Sequence, residues 1–128
     1  MSRDASIELV WGEGLTKFAM RIGELRMLEE KRKAGIVEIL RRMESESWYV
    51  DDVYETLRIG LIGGGKPPTE AYRLVETYCA NRPIVESFLT AYGVLGAGLR
   101  GAPGEDDTEK KTETATETEA TEEITATV

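Results

Sequence analysis

Between residues 6 and 11, Ile7, Leu9 and Trp11 alternate with Glu8 and Val10. That is the period-two pattern of a strand with one buried face. Gly12-Glu13-Gly14 follow as a three-residue turn whose glycines are free to take positive φ. Thr16, Phe18 and Met20 then share one face of a second strand, so the spacing predicts a β-hairpin. From Ile22 the period lengthens. Ile22, Leu25 and Leu28 recur every three residues among Glu24, Arg26, Glu29, Glu30 and Lys31, an amphipathic helix. Lys31, Arg32 and Lys33 suit its C-terminal end, and Gly35 is placed as a left-handed stop.

Ile36, Ile39, Leu40 and Met43 mark a second helix, and residues 44–50 read as a loop. Asp51-Asp52 opens a third helix, with Asp52 and Glu55 at capping-box spacing. Its buried stripe is Val53, Leu57, Gly60 and Leu61, and Gly63-Gly64-Gly65 ends it. Pro68 suits the first position of a fourth helix, where a missing N–H costs nothing. Ala71, Leu74, Val75 and Tyr78 form that helix's stripe, and Asn81-Arg82-Pro83 breaks it. A last helix starts at Pro83, with Ile84, Phe88, Leu89, Tyr92, Leu95 and Leu99 inside. The expected fold is mainly α: a short N-terminal hairpin, then about five packed helices over residues 1–102.

Residues 103–128 change character. They are mostly Thr, Glu, Asp and Ala, with only Ile124 and Val128 suited to a core. Burial there cannot offset the ordering entropy of about 1–2 kcal/mol per residue, so the segment is expected to be a disordered acidic tail. Of the net charge of −8, this tail carries −7, from two basic and nine acidic residues. The body, 1–102, is therefore nearly neutral and lacks the basic stripe of a nucleic-acid-binding protein. The tail fits a solubiliser, a bait for a basic partner or a spacer, and the sequence leaves the three open.

Histidine is absent and cysteine occurs once. This excludes Ser-His-Asp and Cys-His catalysis within one chain, and zinc sites built from several His or Cys. No internal disulfide is possible, which fits a reducing cytoplasm. Met1-Ser2-Arg3-Asp4 is not followed by the apolar run of a signal peptide, and no 18-residue apolar stretch spans a membrane. The expectation is a non-enzymatic chain with no cofactor and no metal.

Five features bear on chemistry or contacts. Gly60-Leu61-Ile62-Gly63-Gly64-Gly65-Lys66 has phosphate-loop spacing, but Pro67 stands where a Ser or Thr hydroxyl would meet magnesium. It also follows a helical stripe rather than a strand, so a glycine-rich link between helices is the better reading. Cys79 lies beside Tyr78 and reads as a small buried hydrophobe. The carboxylate clusters Glu44/Glu46, Asp51/Asp52 and Glu105-Asp106-Asp107 lack calcium-loop spacing and read as solvated surface and caps. Trp48-Tyr49 reads as a staple of the third helix to the core, with an exposed contact patch as the alternative. Ala91, Gly93, Gly96, Ala97 and Gly98 suggest close packing of the last helix, within the chain in preference to another chain.

The order of the pieces carries a resemblance. Ile22-Gly23-Glu24-Leu25-Arg26-x-Leu28-Glu29 follows the hairpin. Trp48-Tyr49-Val50-Asp51-Asp52-Val53 comes next, then Arg58-Ile59-Gly60-Leu61-Ile62-Gly63-Gly64-Gly65. Pro68-x-Glu70-Ala71-x-Arg73-Leu74-Val75 and Arg82-Pro83 complete the set. Over about residues 5–102 the chain resembles the small gene transfer agent family of phage tail proteins, found in alphaproteobacterial prophages and gene transfer agent clusters. Its Thr-Glu tail departs from the short ends of that family.

The resemblance implies one of two roles: a tail tube or terminator subunit, or a tail assembly chaperone that coats the apolar tape measure protein. Tube subunits are mostly β and pair sheets between copies, and one hairpin offers too few strand residues for such a wall. The chaperone role is therefore preferred. The implied partners are the tape measure or other phage tail proteins, with a homo-oligomer left open, and no nucleic acid or membrane. The implied location is the host cytoplasm, or the tail of a phage-like particle. Which residues touch a partner is not legible in the sequence.

Overall fold

In the computed structural model, residues 4–103 are described, together with Thr121, Glu122, Ile124 and Thr125. β1 (Ser6–Trp11) pairs antiparallel with β2 (Gly14–Ala19), in a register running from Ser6 opposite Ala19 to Trp11 opposite Gly14. The loop is thus two residues, Gly12 and Glu13, one shorter than the glycine spacing suggests, because Gly14 itself joins the ladder at φ +134°. Ile7, Leu9, Trp11 and Phe18 face the core, as the alternation predicts. Val10 and Leu15 form an exposed pair on the outer face.

Five helices follow: α1 (Ile22–Arg32), α2 (Ile36–Glu44), α3 (Val50–Gly63), α4 (Pro68–Val75) and α5 (Val85–Arg100). The hairpin and five helices are the expected architecture. Pro68 does occupy the first position of α4. The left-handed stop after α1 is Lys33 at φ +55°, its N–H bonded to the Glu29 carbonyl, rather than Gly35. Gly35 instead precedes α2, where the Glu29 carboxylate accepts the Ile36 N–H at 3.0 Å.

α3 is the hub, packed against α1, α4, α5 and β2. Because neighbours surround it, its buried set is wider than the predicted stripe and adds Asp52, Thr56 and Ile59 to Val53, Leu57, Gly60 and Leu61. The core continues through Phe18, Met20, Leu28, Ile39, Met43, Val75 and Leu95. Trp11 lies edge-on to Phe18 and Tyr78, and its indole N–H donates to the buried Ser87 hydroxyl at 3.1 Å. α4 widens into a π-helical turn, Glu76–Ala80, which sets Cys79 in the core and Tyr78 against Gly12.

Three expected core positions are corrected. Ile22, the first residue of α1, is exposed. Leu89 and Leu99 are also exposed, because α5 turns that side away from α3. α5 begins at Val85, not Pro83, after Glu86 and Ser87 N–H groups reach back three residues to Pro83 and Ile84. At the far end β3 (Thr121–Glu122) pairs antiparallel with β4 (Ile124–Thr125). Apart from Pro103 and this ladder, the expected disorder of 103–128 concerns residues outside the described ones.

Candidate functional site

The glycine-rich segment is built for close packing against a strand. A Cβ on Gly63 would strike the Ala19 carbonyl oxygen, and one on Gly64 the Lys17 carbonyl oxygen. One on Gly60 would approach Val94 to 2.8 Å and Phe18 to 3.3 Å. The glycines thus let the end of α3 rest directly on the backbone of β2, and Arg21 ties the contact by donating to the Gly63 carbonyl at 3.2 Å. Lys66 and Lys17 do line a cleft of about 390 Å³ beside this crossing, but Glu13 shares it.

The start of α3 holds a charged clamp that no local sequence pattern marks. Asp52 is fully buried. Its carboxylate accepts Arg32 Nε at 2.7 Å, Arg42 Nη1 at 3.1 and 3.2 Å, and the Tyr49 backbone N–H at 2.8 Å. Asp52 therefore caps α3 from its third position, with Tyr49 as the residue before the helix, and Glu55 pairs with Arg58 instead. One carboxylate ties α1, α2 and α3 together. The Tyr49 ring covers Arg42 and Arg32 at 5.0 and 5.9 Å. The signal available in the sequence was two arginines placed to end α1 and α2 and an Asp at the start of α3.

Trp48 and Tyr49 divide the two roles considered for them. Trp48 is half-buried and stacks on Phe88 with ring centres 5.1 Å apart, and Phe88 stacks on Tyr92 at 6.1 Å. Tyr49 is exposed. The Tyr92 hydroxyl donates to Glu44 at 2.9 Å, so this stack ties α5 to the end of α2. Beside it Met43, Glu44, Glu46, Phe88, Leu89 and Tyr92 line an open groove of about 490 Å³. Leu89 is 75% exposed and Val85 67%, one turn apart on α5. This groove and the outer face of α5 form an apolar surface of the kind that accepts an amphipathic helix.

Burial pushes the Cys79 thiol upward, which suppresses the reactive thiolate. The Tyr54 hydroxyl is pushed well above its usual range by burial and by donating to Glu76 at 2.7 Å. Arg73 holds Glu70 below the usual carboxylate range. Asp51 is exposed, and Glu105-Asp106-Asp107 lie outside the described residues. Among the described residues no three His, Cys, Asp or Glu side chains gather as a metal site, and no helix is long and apolar enough to cross a membrane.

The small residues of α5 divide by position. Ala91 and Ala97 are buried, and a Cβ on Gly98 would strike Met20, so close packing within the chain accounts for them. No curated protein and no solved structure matches this chain. The family model described as phage tail tube protein, GTA-gp10, matches residues 4–101, which is the hairpin and all five helices. The chain therefore belongs to the GTA-gp10 family of phage tail proteins.

Proposed function

We propose that this chain is a non-enzymatic tail assembly chaperone, which holds an apolar helical segment of the tape measure protein in the host cytoplasm until the tube forms around it. The observation that carries this reading is the outer face of α5 with its adjoining groove, where Val85 and Leu89 stand exposed beside the half-buried Phe88 and Tyr92. Burying such side chains is worth about 1.5–3 kcal/mol each, enough for a partner helix to dock. The described residues also contain only two-stranded ladders, which is little material for a tube wall.

The second reading is a structural component, a tube or terminator subunit. The family description and the exposed Val10 and Leu15 pair on an open two-stranded sheet favour it. Purified particles separate the two. A chaperone is missing from them, and a structural subunit is present in fixed stoichiometry.

A further inference from the structure

Along its own length α5 is charged only at its two ends, and Glu44 of α2 meets its outward side at the Tyr92 hydroxyl. Residues 87–99 carry none, and Glu86 and Arg100 bracket them. At about 100° per residue, Val85, Leu89, Tyr92, Gly96 and Leu99 fall on one stripe. Ser87, Ala91, Val94 and Ala97 face the core on the opposite side. A helix that is apolar all round is normally covered all round. Gly96 adds a separate observation. A Cβ there would meet only the flexible tip of Arg100, at 3.4 Å. Glycine is the least favourable helix residue after proline, and no neighbour among the described residues requires it at this position.

We propose that a second copy of the same chain closes this stripe, with two α5 helices packed antiparallel about an axis through Tyr92 and Gly93. In that register the stripe complements itself. Leu89 of one copy faces the partner's Gly96, and Val85 faces the partner's Leu99. Glu86 faces the partner's Arg100. The leucine occupies the space that the missing Cβ leaves, and opposite charges meet at both ends. Arg100 also reaches Glu44 of its own chain at 3.9 Å, between two half-exposed groups. The antiparallel sense also separates the tails. Each carries a net −7 and leaves from the Arg100 end of its helix. The two ends lie roughly 20 Å apart, beyond the Debye length of about 8 Å at physiological salt. A parallel pair would bring both tails together and set Glu86 against Glu86.

One helix face per copy is a small interface, so the pair is concentration-dependent. It concerns the free chain, and a tape measure segment would compete with it for the same face. Sedimentation equilibrium of the full chain, from micromolar to millimolar concentration, tests it. A monomer–dimer equilibrium is expected. Leu89→Asp is expected to weaken it roughly tenfold or more, from the loss of two buried leucines. Gly96→Leu weakens it similarly with no fall in melting temperature. Glu86→Arg weakens it, and E86R combined with R100E restores it. A chain that stays monomeric throughout, or a dimer indifferent to both Leu89→Asp and Gly96→Leu, overturns the pairing. A monomer that still solubilises the tape measure protein overturns the pairing alone. A dimer of this kind with no effect on that protein upholds the pairing and removes the chaperone reading.

Discussion

Replacing Asp52 with alanine removes one buried carboxylate and three of its partners' acceptors at once. Arg32, Arg42 and the Tyr49 N–H all point at it, across 2.7, 3.1 and 2.8 Å. The two arginine side chains are 15% and 17% exposed, so water only partly replaces the lost anion. Removing one partner of a buried pair costs about 3–5 kcal/mol. The partial exposure of the arginines puts this case at the lower end, and the lost helix cap adds about 1 kcal/mol. A total near 4 kcal/mol compares with a typical domain stability of about 5–15 kcal/mol. Urea unfolding followed by circular dichroism should therefore show a large fall in midpoint at unchanged slope, and the melting temperature should drop by at least about 12 °C. Asp51→Ala, one residue away and exposed, should cost less than about 1 kcal/mol. Arg32→Met added to Asp52→Ala should cost less than the sum of the two changes, since each removes the same interaction. If Asp52→Ala costs under about 1 kcal/mol, the clamp does not hold the three helices.

Other expectations follow from single atoms. Gly63→Ala pushes β2 off α3 and should destabilise by about 1–3 kcal/mol or more, whereas Gly96→Ala should stabilise by up to about 1 kcal/mol; thermal melts of the two variants check both signs. Thr56 Oγ1 is buried with no hydrogen-bond partner, so Thr56→Val should raise stability by about 1 kcal/mol in urea titration. Tyr54 has a raised phenol pKa, so its contribution is intact below the ordinary tyrosine value near 10 and is lost as pH rises past it. Absorbance titration of the phenolate should show one late-ionising tyrosine that Tyr54→Phe abolishes.

Much of the fold was legible because the chain obeys simple periodicities. The alternation of Ile7, Leu9 and Trp11 and the stripe of Ile36, Ile39, Leu40 and Met43 each placed one buried face correctly. α5 was legible as a helix but not in orientation. Being apolar on every side, it gave no polar face to mark the outside, so Leu89 and Leu99 read as core. The Asp52 clamp joins residues 10 and 20 positions apart, and pairing at that range leaves no local pattern. Gly64 and Gly65 form the expected link between α3 and α4, whereas Gly60 and Gly63 lie within α3, and the strand that Gly63 and Gly64 pack against is more than 40 residues earlier. The apolar groove beside Phe88 draws on α2, the following loop and α5, so only the packed chain displays it.

The account rests on the outer face of α5 being a surface for another protein's apolar helix. The direct measurement is the soluble fraction of the tape measure protein when co-expressed with the wild-type chain, with Leu89→Asp and with Val10→Asp. The wild type and Val10→Asp should both keep it soluble, while Leu89→Asp, altering a side chain already 75% exposed, should lose that effect without unfolding. A tape measure protein equally insoluble with and without the wild-type chain, or equally soluble with Leu89→Asp, would contradict the account.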